Sequence, residues 1–376
     1  MESAPGPVTI LNGREYLYFA GTGYLGLQGH PAVIDAAQAA VAQFGVHSAT
    51  TRGGYGNSPP MLEVERRTAE FLAAESCCYL VSGYAVNFAL AAACEQFDLA
   101  LIDESAHDCL REATRWLDGL QRPPLPFRHR DANHVAELLA TELRPGNRAL
   151  VMTDGVFAAS GRLAPLADYL QILDRYPGSR LMVDDAHGLA VLGAHGRGSL
   201  EHAGVAPERI NSHRTSSDGA AVLHGTTLSK AIGGHGGAIV GTPEFLDRLR
   251  AASGWFRGSS APAAPVAAAT AKALEIVQSD PSLRRRLATN VALARAGLRG
   301  LGIDADESPS PILGFCLSEA AHMQHVQSLL ADEGIAVGYT RDYAGAGPNG
   351  MLRVAIFATH TPDMIGRLVA TLARVL

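Results

Sequence analysis

The sequence predicts an α/β fold, a large domain on a mostly parallel sheet followed by a small α+β domain at the C-terminus. Two observations carry that expectation. Between Cys78 and Val240, short apolar runs alternate with segments of helical periodicity, as in strands joined by crossover helices. After Trp255 the character changes to long Ala- and Arg-bearing helical stretches broken by brief strand-like runs. The expected divisions are an N-terminal segment over 1–45, a large domain over 46–279 and a small domain over 280–376.

In chain order, Tyr16 to Ala20 is strand-like, and Pro31 to Phe44 places proline at the first position of an Ala-rich helix. Met61 to Ala74 predicts a second helix after the Gly/Pro-rich stretch Gly53 to Pro60. Cys78 to Val81, Leu99 to Ile102, Ala149 to Met152, Leu181 to Val183 and Ala238 to Val240 read as buried strands. Ala85 to Cys94 and Leu166 to Leu173 are helical segments between them. Ala261 to Val277 and Pro281 to Leu301 predict helices, the second acting as the hinge to the small domain. There Pro311 to Leu317 and Leu352 to Phe357 flank a helix over Glu319 to Glu333, and a last helix runs from Asp363 to Val375. Arg122 to Pro126 and Asn211 to Asp218 look like linkers, and no repeat of 20–50 residues is visible.

Composition narrows the function. At 47% hydrophobic the chain can bury a large core, which excludes disorder. A net charge of −6 with no basic run argues against nucleic acid as a partner. No stretch approaches the ~18 apolar residues of a membrane span, and Met1 to Pro7 shows no secretory signal. Cys77, Cys78, Cys94, Cys109 and Cys316 form no C-x-x-C pair, which fits a reducing cytoplasm. No metal site is expected: His322 and His325 are one helical turn apart, but no third ligand lies near. Gly21 to Gly26 matches G-x-G-x-x-G, yet the next helix begins only at Pro31, so a turn-rich loop is the better reading.

Four patterns point to chemistry. Ser82-Gly83-Tyr84 lies where a strand hands over to a helix, a place where backbone N–H groups cradle phosphate; a plain turn is the alternative. Asp184-Asp185-Ala186-His187-Gly188 follows an apolar strand, so a carboxylate faces the crevice where α/β ligands bind. Set against a pyridine nitrogen, Asp184 would hold it protonated, with His187 free to donate to a phenolic oxygen. Alone, the pair could equally be structural or bind a metal. Lys230, in Thr226 to Gly234, sits in an apolar, glycine-rich turn where lost solvation favours the nucleophilic neutral amine over an exposed charge. Arg353 interrupts the apolar run Leu352 to Phe357 and needs an anion, either a substrate carboxylate or a structural partner. Phosphate cradle, pyridinium acid, Schiff-base lysine and carboxylate arginine are together the parts of a pyridoxal 5'-phosphate (PLP) enzyme.

Further runs extend the pattern: Tyr24-Leu25-Gly26-Leu27, Leu62-Glu63, Asp103-Glu104 with His107, Gly196-Arg197-Gly198, Thr227 three residues before Lys230, and Ala358-Thr359-His360-Thr361. On these motifs the chain from about Tyr24 onward resembles the α-oxoamine synthases. These are fold-type I PLP enzymes, C-acyltransferases that join a small amino acid to an acyl thioester. The resemblance implies a large domain with a mostly parallel seven-stranded sheet. It implies that Lys230 forms the Schiff base and later moves the substrate's α-proton, that Asp184 meets the ring nitrogen and that His187 bonds the phenolic oxygen. His107 would stack on the ring and polarise the thioester carbonyl. Ser82, Gly83, Tyr84 and Thr227 would hold the phosphate, joined by Ser260 from a neighbouring subunit, in a homodimer with shared active sites. Arg353 and Thr22 would face the amino acid. The glycines Gly83, Gly188, Gly196, Gly198 and Gly233 to Gly237 are expected around the cofactor. An aminotransferase or amino-acid lyase would use the same cofactor parts without a thioester. The chain departs from the family pattern at Thr22-Gly23, Pro59, Ala158 to Gly161 and Asp342 to Pro348, all on the substrate side.

Overall fold

In the computed structural model, residues 1–211, 219–341 and 343–376 are described, and they build two sheets. Near the N-terminus, β1 (Val8–Leu11) and β2 (Arg14–Phe19) form a hairpin turned at Asn12-Gly13. Both turn residues have positive φ, 50° and 74°, which Asn-Gly tolerates best.

The large sheet comprises β3 (Ser76–Leu80), β4 (Leu99–Asp103), β5 (Leu125–Phe127), β6 (Ala149–Asp154), β7 (Arg180–Asp184), β8 (Ala221–Thr227) and β9 (Gly237–Gly241). Their spatial order is β3-β9-β8-β7-β6-β4-β5, with β9 antiparallel to both neighbours and the other pairings parallel. Helices cover both faces, so central strands must be apolar on both sides. Leu181 and Val183 of β7 pack with Leu166, Tyr169 and Leu173 of the helix Leu166–Leu173, while Met182 between them packs with Val86 and Leu90 of the helix Tyr84–Ala93. The smaller sheet adds β10 (Ile312–Phe315), β11 (Ile335–Thr340) and β12 (Met351–Ala355) in the order β1-β2-β11-β12-β10. β2 and β11 run parallel, so residues 8–19 and the C-terminal region share one sheet.

Three readings of the sequence change. Arg122 to Pro126 is no linker, since β5 begins within it and pairs with β4. β8 is a full strand; His224, Thr226 and Thr227 hid it from an apolar pattern although every residue in it is buried. Of the second linker-like stretch, 212–218 lies outside the described residues, while Asn211 is buried and its side chain bonds His224 and Val240.

His360 joins the two ends of the chain. Its buried ring lies against Phe19 and Phe357 at 4.2 and 4.8 Å between centroids. Nδ1 accepts from Phe357 N–H at 3.0 Å, so the single proton of the neutral ring sits on Nε2 and goes to the Tyr18 carbonyl, also at 3.0 Å. Burial pushes its pKa from 6.5 down to about 4. A depressed pKa means the unfolded chain takes up the proton first as pH falls below 6.5, so stability is lost from there down through about 4. Between pH 7 and 4.5 this group alone should remove about 2 kcal/mol. Urea unfolding at the two pH values should show that extra loss in the wild type and not in His360→Gln. Equal losses would exclude the assignment.

Candidate active site

The parallel register sets the floor of the site. Asp154 at the end of β6 pairs with Asp184 at the end of β7, and Asp184 pairs with Gly225 of β8, so two carboxylates leave the sheet side by side. Around them lies a cavity of about 260 Å³, lined by Ser82, Gly83, Tyr84, His107, Cys109, Asp154, Asp184, Ala186, His187, Thr227, Ser229 and Lys230. Of the residues singled out in the sequence, Ser82, Gly83, Tyr84, His107, Asp184, His187, Thr227 and Lys230 thus converge. Thr22, Ser260 and Arg353 do not line it.

At one end, the helix Tyr84–Ala93 starts beside the β8–β9 turn. A Cβ on Gly83 would come within 2.5 Å of Thr227 Oγ1, so only glycine lets the helix start sit this close to Thr227. The Ser82 hydroxyl accepts from Tyr84 N–H at 3.2 Å, while Thr227 Oγ1 donates to the Gly236 carbonyl and accepts from Ser229 N–H. At the other end, Asp184 Oδ1 accepts from Ala186 N–H at 2.9 Å, and Oδ2 accepts from Asn87 Nδ2 at 2.7 Å and from the Cys109 thiol at 3.1 Å. Lys230 Nζ lies 2.9 Å from His187 Nε2, and His187 Nδ1 lies 2.7 Å from the hydroxyl of Tyr24.

Burial dominates the electrostatics. It lowers the Lys230 pKa against the opposing pull of Asp184, and it holds His187 well below its usual value, with the Lys230 and Arg353 charges adding to the effect. His107 is lowered for the same reason and is neutral. Its Nδ1 accepts from Cys109 N–H at 3.1 Å, as cap of the short helix Asp108–Ala113, so its proton sits on Nε2. Burial beside Asp184 raises Asp154 well above the carboxylate range, while one oxygen takes the His107 backbone N–H at 2.9 Å. Tyr84 and Tyr343 stand edge-on to the His107 ring, at 5.9 and 5.6 Å.

Arg353 is buried, yet forms no ion pair among the described residues. Nε donates to the Ala158 carbonyl, Nη1 to the Gly21 carbonyl and Nη2 to the Tyr24 hydroxyl, at 2.8, 2.9 and 3.2 Å. Three of its five N–H groups are thereby placed and two remain for an incoming carboxylate. Ser260 is exposed and its backbone bridges Thr51. Thr22 is half-buried.

One sequence reading of the surroundings is corrected. Among the glycines expected at the cofactor, only Gly83 lines the cavity, with Gly237 packed directly behind it. Gly188 and Gly198 instead make room for the Asp185 carboxylate, Gly196 for Arg284 and Gly233 for Leu27. On the helix Pro59–Phe71, Glu63 faces outward to Arg66 and Arg67, and Leu62 is exposed. The inward acid is Glu65, which accepts from Arg52 at 2.5 Å and from Tyr79 N–H at 2.8 Å. Four contributors were not read as site residues, namely Asn87, Cys109, Asp154 and Tyr343. Asp154 carries the same signal as Asp184, an acid closing an apolar strand. Asp342 lies outside the described residues, and among those described no metal-ligating cluster of three or more side chains forms.

The donor set suits a phosphorylated pyridine aldehyde. A helix start tightened by glycine suits the phosphate, an amine kept dry suits the aldehyde, and a carboxylate at the far end suits a ring nitrogen.

Comparison with known proteins gives the family and the fold. The family described as aminotransferase class I and II matches residues 16–372. An 8-amino-7-oxononanoate synthase of Methylocella silvestris is 35% identical, over 96% of this chain and 96% of that protein. One from Maricaulis maris is 34% identical over 99% of this chain and 89% of its own length. Among solved structures, the serine palmitoyltransferase of S. paucimobilis with a bound PLP–myriocin adduct superposes with a TM-score of 0.89 at 22% identity, covering 100% of this chain and 91% of that one. The 8-amino-7-oxononanoate synthase of Francisella tularensis gives 0.78 at 19%, covering 96% and 97%.

Proposed function

The chain belongs to the class I and II aminotransferase family and, within it, to the α-oxoamine synthases, PLP-dependent acyltransferases of fold type I; on that premise we propose that the cavity around Lys230 is the catalytic site. The reaction is the decarboxylative condensation of an amino acid with an acyl thioester, giving an α-amino ketone. The amino acid is small, and the acyl group arrives on coenzyme A or a carrier protein. One observation carries the site assignment. Lys230 offers an amine of lowered proton affinity inside the cavity that also holds Asp184 and the Gly83 cradle.

When bound, PLP supplies an electron-accepting ring that delocalises charge from the amino acid's α-carbon. The protein's own groups do the rest. Ser82, Gly83, Tyr84 and Thr227 hold the phosphate, and Asp184 keeps the ring nitrogen protonated by its opposite charge. The two unplaced N–H groups of Arg353 take the substrate carboxylate, and Thr22 borders that position. Lys230 anchors the cofactor and moves the α-proton. His107, with its proton fixed on Nε2, has a donor for the thioester carbonyl. His187 donates through Nε2 to the phenolic oxygen.

A homodimer with shared sites is part of the same reading. It is supported by the exposed Ser260 and by the partly exposed aromatic group Tyr84, Trp116 and Trp255 around Phe88. Sedimentation at the 39.5 kDa of one chain would remove it. We place the protein in the cytoplasm, where its five unpaired cysteines stay reduced; no helix among the described residues is long and apolar enough to cross a membrane.

The function is tested by incubating holoenzyme with glycine, alanine or serine and a series of acyl thioesters. Carbon dioxide and free thiol should appear in equal amounts. Amino-group transfer to a keto acid without thiol release would instead establish an aminotransferase.

A further inference from the structure

Tyr24 opens the run Tyr24-Leu25-Gly26-Leu27, but no role in the reaction has fallen to it. It is fully buried, and its hydroxyl has two neighbours, Arg353 Nη2 at 3.2 Å and His187 Nδ1 at 2.7 Å. A guanidinium has donors and no acceptor, so Arg353 donates to the phenol oxygen. The phenol hydrogen then needs an acceptor, and among the described residues His187 Nδ1 is the one within reach. His187 carries a single proton, since burial and the Lys230 and Arg353 charges hold it neutral. With Nδ1 accepting, that proton is on Nε2, facing Lys230 Nζ at 2.9 Å. An N–H can be received there only by an amine with a free lone pair. The opposite arrangement, an ammonium donating to Nε2 and Nδ1–H donating to Tyr24, would leave the buried phenol hydrogen without a partner.

We propose that Tyr24 is a positioning residue that fixes the His187 proton on Nε2 and thereby keeps the Lys230 amine unprotonated and ready to react. The chain Arg353, Tyr24, His187, Lys230 has one direction, set at the end that cannot accept. It deepens the proposed function and rests on Lys230 being the cofactor's anchor. The other groups around Lys230 are Asp184 on β7, Asp154 on β6, Cys109 on the helix Asp108–Ala113, Arg353 on β12 and His107. Asp184 favours the charged amine, whereas burial and Arg353 oppose it, and burial raises the pKa of both Asp154 and Cys109. Tyr24→Phe leaves all of these in place and removes only the hydroxyl.

The chain contains two lysines, and Lys272, paired with Glu275 on the helix Ala264–Ser279, serves as an internal reference. Competitive labelling of the full-length protein, freed of cofactor, with acetic anhydride across pH 6–11 reports each amine separately by mass spectrometry. In Tyr24→Phe the Lys230 midpoint should rise by about one pH unit, the tenfold change expected for one hydrogen bond. The Lys272 midpoint should not move. Coincident Lys230 curves would overturn the proposal. Should the variant fail to fold, the ¹⁵N shifts of the wild-type His187 ring decide, assigned by difference from His187→Gln. A protonated Nε2 with bare Nδ1 supports the proposal, and the reverse overturns it. Borohydride trapping of PLP separates the two levels. If Lys230 does not trap PLP, the underlying site reading fails; if it does while the curves coincide, the role of Tyr24 alone fails.

Discussion

Replacing Lys230 with alanine is expected to abolish borohydride-trappable PLP and the visible absorbance of the bound cofactor, and to cut turnover by at least ~10³-fold. The size of the effect follows from the lack of a substitute. The other lysine, Lys272, is held by Glu275 at 2.7 Å on a helix surface and does not line the cavity. His107 and His187 line it, but neither supplies a primary amine. After trapping and digestion, the label in the wild type should be confined to the peptide containing Lys230. Label on Lys272, or label persisting in Lys230→Ala, would remove Lys230 from the site. The variant should keep its fold, since the lost amine has one hydrogen-bonding side chain beside it, His187. Unchanged circular dichroism would check that.

Asp184→Asn is the second large effect, expected at about 10³-fold in turnover, or roughly 4 kcal/mol of transition-state stabilisation. The carboxylate is held by donors on both oxygens, Ala186 N–H on one side and Asn87 with Cys109 on the other. That leaves its negative charge as the property an amide lacks, and the charge is what raises the proton affinity of a ring nitrogen. The amide would also turn an N–H group toward existing donors. Steady-state turnover and equilibrium dialysis of PLP measure the two consequences separately. Turnover within about tenfold of wild type would show that the charge at this position is dispensable.

The central strands and the chemistry at their ends were legible because of one contrast. A polar residue that closes an uninterrupted apolar run, as Asp184 closes β7, stands out against its surroundings. Asp154 closes β6 in the same manner, but Thr153 ends the apolar run at Met152 and blurs that contrast. β8 is hidden for the opposite reason: its polar residues His224, Thr226 and Thr227 are inside, and an apolar pattern cannot detect them. On the helix Pro59–Phe71 two positions separate Glu63, its side chain 35% exposed, from Glu65 at 13%, and they lie nearly opposite each other around the helix. Glycines such as Gly188 and Gly198 mark close approach, but sequence does not say to what, and here it is Asp185. The partners of Arg353 are backbone carbonyls and a phenol, which no residue pattern encodes.

The parallel pairing of β2 with β11 has a consequence during synthesis. Leu17 meets Ile335, a partner 318 residues later in the chain. At roughly 5–20 residues per second, the ribosome delivers that partner about 16–64 s after Leu17 itself. Throughout that interval the hairpin of β1 and β2 has an unpaired edge, the kind that recruits strands from other chains. Nascent chains should therefore be most prone to mispairing at this hairpin, and a circular permutant that joins the hairpin to Leu376 at the C-terminus would bring Leu17 within about 60 residues of Ile335 and shorten the wait to seconds.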